Sequence, residues 1–150
     1  MKAIIYTKYG PPENLQLQEV EKPTPKENEV LVRVHSASVN SWDWDLLRGV
    51  HFATRVGGFF KPKHKILGAD IAGWVAGTGS SAGRFKPGAE VFGDISGSGW
   101  GGFAEYVCAS EDVLAPKTRN MTFEQAAATP QAGVLALQGL RYGGRLQAGQ

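Results

Sequence analysis

The sequence predicts a mainly β fold with short helices, built as a small barrel or sandwich, and three observations carry that prediction. Short apolar runs with strand-like alternation recur through the first two-thirds of the chain. Between them, 20 glycines and 8 prolines are scattered without a collagen-like period or a low-complexity tract, the composition of a chain with many turns. Helical patterning begins only near residue 122. At 150 residues and 42% hydrophobic content, the chain has material for one domain with a real core.

Taken in order, Ala3 to Thr7 is an apolar start, and Leu15 and Leu17 alternate with Gln16 and Gln18. With Gly10-Pro11-Pro12-Glu13-Asn14 as the turn, these two segments read as a hairpin or meander. After the polar stretch Glu21 to Glu29, the run Val30-Leu31-Val32-Arg33-Val34-His35 places Val30, Val32 and Val34 on one face of a strand, which predicts all three in the core. Ile66-Leu67 and Ile71 to Val75 read as a strand pair or one bent strand. Glu90-Val91-Phe92 and Phe103 to Val107 follow as further strands, set apart by glycine-rich turns. Thr122-Phe123-Glu124-Gln125 has the form of a capping box, and Ala126, Ala127 and Ala128 are strong helix formers. Pro130 ends or restarts that helix. Val134, Leu135, Leu137 and Leu140 recur at helical spacing up to Gly143-Gly144, predicting a second helix with an apolar face that needs something to pack on.

Several function classes are disfavoured at once. The formal charge is only +2, and the densest basic stretch, Lys61 to Lys65, is short and interrupted by Pro62, so a solvated loop is expected there and nucleic acid is not expected as a partner. One cysteine permits no intramolecular disulfide, and Met1 to Tyr6 turns polar too soon for a signal peptide. No apolar run approaches the ~20 residues needed to span a bilayer, so a soluble, cytoplasmic protein with no membrane partner is expected. Gly77-Thr78-Gly79-Ser80-Ser81-Ala82 matches a dinucleotide fingerprint in letters, but Gly83, Pro87 and Gly88 follow too closely for the helix that such a fingerprint opens. A tight turn is the expectation there, and also at Gly97 to Gly102. A structural zinc site is excluded by ligand count, because Cys108 and three histidines offer no C-x-x-C pair. His51, His64 and Asp70 have the ligand types for a catalytic zinc, but no spacing fixes them on a shared face, so no metal is expected. Cys108 lies in a strand-like run and is expected to be an inert, partly buried thiol.

The chain also resembles a known family. Met1-Lys2-Ala3-Ile4-Ile5, Glu29 to Val34 and Ser38-Val39-Asn40-Ser41-Trp42-Asp43-Trp44 resemble the start of medium-chain dehydrogenases/reductases of the quinone-oxidoreductase branch. The likeness continues through Leu67 to Val75, Phe85 to Phe92, Gly101 to Val107, Ala126 to Gly133 and Gln147 to Gln150. The resemblance implies a GroES-like, partly open β-barrel over residues 1–125. It further implies a connecting helical segment over 126–150 that leads towards a nucleotide-binding Rossmann domain absent from this chain. The implied activity is NADPH-dependent reduction of quinones or of activated C=C or C=O groups, with the small-molecule quinone or enone held between the two domains. Asn40 stands where zinc-dependent relatives carry a ligand cysteine, and Ala69 and Asp70 stand where they carry a His-Glu pair. The four-cysteine lobe is missing as well, so the resemblance is to the zinc-independent branch.

By the same resemblance, Asn40 is expected beside the nicotinamide, and Asp43 is expected to orient the Asn40 loop, with proton transfer as its lesser reading. His51 occupies the spacing at which related 2-enoyl thioester reductases carry a catalytic tyrosine; an exposed loop histidine is the first reading there, with a candidate proton donor as the lesser one. Thr129 belongs to the segment that approaches the nicotinamide and is the second candidate cofactor-binding residue after Asn40. The 150 residues alone are expected to lack NADPH affinity and turnover. Two alternatives stand beside this reading: a non-catalytic barrel serving as a binding module, and a 2-enoyl thioester reductase. The apolar helix from Val134 to Leu140 leaves a homo-oligomer open.

Overall fold

The computed structural model describes residues 1–55, 58–144, 146 and 149. The first two strands form the expected hairpin: β1 (Lys2–Ile5) runs antiparallel to β2 (Gln16–Glu19), with a 3-10 turn at Pro12–Asn14 between them. Five more strands make a second antiparallel sheet: β3 (Glu29–Ala37), β4 (Asp70–Thr78), β5 (Glu90–Asp94), β6 (Tyr106–Ser110) and β7 (Ala115–Pro116). Their spatial order is β6-β3-β4-β5-β7. Single bridges from Ala3 to Ala104 and from Ile5 to Ile66 join the hairpin to the rest. The two sheets do not close on each other, so the barrel is partly open.

Three short helices complete the described fold: α1 (Ser41–Arg48), α2 (Phe123–Ala127) and α3 (Pro130–Gln138), the last running into a π-helical turn at Gly139–Gly143. α2 starts as expected, because Thr122 Oγ1 accepts the Gln125 N–H at 3.2 Å while Gln125 Oε1 accepts the Thr122 N–H at 3.0 Å. Pro130 restarts the chain as the first residue of α3, where a missing N–H costs nothing. None of the helices among the described residues is long and apolar enough to cross a membrane.

The core lies between the strands. Val30 and Val32 of β3 pack with Ile71 and Val75 of β4, Val91 of β5 and Val107 of β6, all nearly inaccessible to water. A satellite cluster of Tyr6, Leu47 and Leu67 seats α1, and Ala72, Ala126 and Ala127 seat α2 on the sheet. Packing of α2 on the sheet runs through Ala127.

Four expectations change on contact with the structure. Val34 packs against the core but is only half-buried, beside register shifts between β3 and β4 at Leu31/Val32 and Val34/Ser36. Ile66-Leu67 is not a strand but an approach to β4 that touches β1 through one bridge. Phe103 to Glu105 precede β6 rather than belong to it. The Asn40-to-Trp44 motif, not read as regular structure, opens α1. The turn expected at Gly77 to Ala82 is present: β4 runs through Thr78, and the Gly79 N–H then returns to the Glu29 carbonyl at 2.8 Å. Of the helical segment expected over 126–150, residues 145, 147, 148 and 150, and with them most of the Gln147-to-Gln150 motif, lie outside the described residues.

Candidate functional site

A cleft of about 810 Å³ opens between the end of β5, the glycine-rich turn after it and the start of α3. Its walls are apolar: Trp42 from α1, Phe92 from β5, Trp100 from the turn, and Val134 and Leu135 from α3. Asp94 and Gln131 bring polar atoms to the same lining. Trp100 holds its wall position with φ 69, the left-handed region that non-glycine residues enter at a cost of about 1–2 kcal/mol, and such local strain is commonest at binding sites.

Beside the cleft, α1 begins at a tightly built corner. Asn40, half-buried and extended (φ −116, ψ 167), is the residue before the helix. Asp43, three positions on, returns its carboxylate so that Oδ2 accepts the Asn40 N–H at 2.8 Å. Asp43 Oδ1 accepts the Gly68 N–H, also at 2.8 Å, across 25 residues of sequence. Gly68 sits at φ +95, where a side chain would be strained and would press on the Phe103 backbone nitrogen. One buried carboxylate thus ties the start of α1 to the turn that leads into β4. Burial pushes the Asp43 carboxyl above its ordinary value, against the pull of the two N–H groups, and the nearby Asp94 charge adds to the rise.

The second polar knot lies where β4 and β5 begin and end. Asp70 and Asp94 are cross-strand partners. Asp70 is fully buried, and its Oδ2 accepts the Gln131 N–H at 3.0 Å. Gln131 Nε2 reaches Asp94 Oδ2 at 3.4 Å, while Asp94 Oδ1 accepts the Ser96 N–H at 2.8 Å. Gln131 therefore stands between two carboxylates, and Asp70 caps the amino end of α3, which has no cap of its own because Thr129 Oγ1 donates back to the Gln125 carbonyl at 2.7 Å. Asp70 Oδ1 has no hydrogen-bond partner among the described residues. Burial raises the Asp70 carboxyl. The Gln131 N–H and the neighbouring Asn40 amide pull it down without completing a bond to Oδ1, and the charges of Asp94 and Asp43 push it up again.

The structure thus gathers Asn40, Asp43 and Asp70 into one corner beside the cleft, and none of these three, nor His51 or Thr129, is among the residues that line it. His51 is exposed beyond the end of α1, and its carbonyl, not its ring, is engaged, accepting the Thr54 hydroxyl at 2.7 Å. No cluster of three or more histidine, cysteine or carboxylate side chains fit to hold a metal occurs among the described residues. Cys108 lies on β6 and does not line the cleft, and burial, then the Glu29 charge, pushes its thiol up to about 11. Sequence reasoning missed Gly68, Asp94 and Gln131. Asn40-x-x-Asp43 ahead of Gly49, a left-handed helix stop at φ 57, was a readable start-and-stop signal for α1. Gln131 gave no signal, because its role depends on which strands meet beside it.

Comparison with known proteins places this geometry. Residues 26–119 match the family described as alcohol dehydrogenase GroES-like domain. The chain is 35% identical over 142 residues to the chloroplast envelope quinone oxidoreductase homolog of Arabidopsis thaliana, an alignment covering 93% of this chain and 42% of that protein. It is also 35% identical over 147 residues to the chloroplastic NADPH-dependent alkenal/one oxidoreductase of the same plant, covering 93% of this chain and 37% of the relative. Among solved structures, the quinone oxidoreductase from Coxiella burnetii superposes with a TM-score of 0.88 at 35% identity, over 99% of this chain and 46% of that one. The chain spans about two-fifths of the length of the curated relatives it matches.

Proposed function

The chain belongs to the alcohol dehydrogenase GroES-like domain family, in the quinone-oxidoreductase-like branch of the medium-chain dehydrogenases/reductases, and from that premise we propose that it is the substrate side of an NADPH-dependent, metal-free reductase of quinones and activated C=C or C=O groups. The observation that carries the proposal is the aromatic cleft of about 810 Å³ with the Asn40–Asp43 corner beside it. Flat, conjugated, mostly apolar substrates suit walls made of Trp42, Phe92 and Trp100, because ring stacking orients them at little entropic cost.

The donor set does not fit a catalytic zinc. The residues lining the cleft include no histidine or cysteine, Asn40 offers only an amide, Asp94 is engaged by Gln131 and Ser96, and Asp70, with one oxygen on Gln131, has only Oδ1 unpartnered among the described residues, short of the three ligands a catalytic zinc needs. Polarisation of a carbonyl then falls to hydrogen-bond donors, and the half-buried Asn40 amide is the proposed donor, held in place by Asp43. Asp43 acts through this positioning, since it is buried, does not line the cleft, and spends each oxygen on a backbone N–H group. NADPH, when bound, supplies the hydride. The Asn40 amide and Thr129 at the start of α3 are the proposed contacts of this chain to its nicotinamide end, and the domain organisation expected from the sequence assigns the remainder of the cofactor to a partner domain. His51 keeps a loop role in this scheme, given its exposure. A soluble, cytoplasmic location belongs to the same proposal.

Substrate binding is testable through the cleft tryptophans, which report without cofactor. A soluble enone should quench Trp42 and Trp100 saturably, and the variant W42F/W100F should lose the saturable part. In the protein as expressed from its gene, NADPH oxidation by the enone should fall by roughly 10²–10³-fold in Asn40→Ala, the usual cost of one donor to a developing oxyanion. Linear, unsaturable quenching together with full activity in Asn40→Ala would overturn the assignment.

A further inference from the structure

We propose that Phe52 and residues 58–65, between α1 and β4, form a docking surface for an anionic lipid bilayer, using exposed phenylalanines for shallow insertion and lysines for charge attraction. The sequence reading treated Lys61 to Lys65 as a solvated loop. The structure adds what stands next to it: Phe52, Phe59 and Phe60 are 75%, 52% and 88% exposed. Phe59 meets both neighbours edge to face, with centroids 5.8 Å apart for Phe52–Phe59 and 5.2 Å for Phe59–Phe60. They form a small bare aromatic cluster, and none of them lines the cleft.

The described base of the segment is well fastened. Tyr9 donates its hydroxyl to the Gly58 carbonyl at 2.6 Å, the Tyr6 N–H meets the Lys65 carbonyl at 3.0 Å, and Thr54 and Pro62 are buried. Charge then selects the partner. No acidic residue occurs between Asp45 and Asp70, while Lys61, Lys63 and Lys65 are all exposed. Arg48, at the end of α1, and Arg55 lie over the rings of Trp44 and Tyr9 instead and add positive potential nearby.

An apolar cluster flanked by unpaired-sign charge is the composition that lies in a bilayer interface. Three phenylalanines, at about 150–250 Å² each, supply less area than the ~800 Å² per partner of a standard protein interface. A bilayer needs no shape complementarity and rewards each lysine near its surface, so it fits where a protein partner would be underfed.

The test is co-sedimentation of the purified full chain with vesicles of phosphatidylcholine, with and without phosphatidylserine, at low and high salt. Binding is expected only with phosphatidylserine, and it should weaken steeply with salt. Lys61→Ser, Lys63→Ser and Lys65→Ser together should lower it on the order of 100-fold. F59S/F60S should lower it about tenfold or more, with unchanged circular dichroism. In a second measurement, Phe60→Trp should give a blue-shifted emission with the anionic vesicles and none with phosphatidylcholine alone. The proposal fails if the chain does not sediment with phosphatidylserine vesicles, or if it sediments equally with both compositions. It fails equally if neither set of substitutions changes partitioning, or if sedimentation analysis shows the phenylalanines holding two copies of the chain together.

Discussion

Removing the Asp43 side chain should unfasten the corner on which the proposed site is built. Asp43 is 2% exposed and spends both oxygens on backbone N–H groups at 2.8 Å, one from Asn40 and one from Gly68. The two losses differ. Asn40 is half-buried, so water can replace the carboxylate at its N–H, whereas Gly68 is fully enclosed and its N–H would be stranded. A stranded buried donor costs about 1–3 kcal/mol, and the methylene and carboxyl volume lost in Asp43→Ala adds a cavity. Relief of the buried charge, whose carboxyl is already held above its ordinary value, returns part of this. A net loss of about 2–3 kcal/mol is expected for Asp43→Ala, and about 1–2 for Asp43→Asn, whose remaining oxygen can still serve Gly68. At about 2–4 °C per kcal/mol for a chain of this size, Asp43→Ala should lower the Tm by about 4–12 °C. Urea unfolding followed by tryptophan emission measures both variants, and an unchanged m-value would show that the native fold is kept. If Asp43→Ala unfolds within about 0.5 kcal/mol of the parent, the carboxylate does not stitch α1 to the β4 approach and its positioning role falls with it.

Other consequences follow from the same geometry. Asp70→Asn keeps an acceptor for the Gln131 N–H while removing a buried charge whose second oxygen is unpartnered, so it should be neutral to stabilising near neutral pH. Because the folded-state carboxyl is raised, its contribution to stability is full below the ordinary aspartate value of 3.8 and is lost as pH rises through the folded value; the advantage of Asp70→Asn should therefore shrink on acidification, read from urea midpoints across that window. Gly68→Ala should destabilise by about 2 kcal/mol or more, since φ +95 strains any side chain and a methyl group there meets the Phe103 nitrogen at 2.6 Å; thermal melts check it. Cys108, with its thiol pushed up to about 11, should alkylate slowly in the folded protein at neutral pH and at the ordinary thiol rate in urea, measured by mass shift with iodoacetamide.

Legibility in the sequence followed the range of the interactions. The β1–β2 hairpin and the buried faces of Val30 and Val32 were readable because period-two alternation is a local property. The incomplete burial of Val34, which still packs against that core, was not, because it goes with the β3–β4 register shift, a relation between residues about forty apart in the chain. The α2 capping box and the restart at Pro130 were readable from four consecutive letters. α1 carried an equivalent signal in Asn40, Asp43 and Gly49, but its two tryptophans at 42 and 44 imitate strand alternation. Of the site, Asn40 and Asp43 were reachable through family resemblance, while Gly68, Asp94 and Gln131 matter only because β4, β5 and α3 meet.

That meeting also explains how a cleft wall can rest on a helix that buries almost nothing. Beyond Gln131, every residue of α3 is exposed, including Val134 and Leu135, so hydrophobic burial does little to fix the helix against the sheet. What fixes it are Pro130, buried at its first position, and Gln131, held at its backbone by Asp70 and at its side chain by Asp94. Two carboxylates sharing one glutamine make a directional joint, and direction is what a wall needs: rotation of α3 by one residue would turn Gln131 away and carry Val134 and Leu135 off the cleft. Replacing Gln131 with Ala should therefore release α3 while leaving the barrel intact, because Val30, Val32, Ile71 and Val91 make no use of it. The expected signature is a loss of hydrogen-exchange protection confined to residues 130–138 with β3 and β4 unchanged, and protection lost throughout the sheet would show that the joint supports the barrel itself.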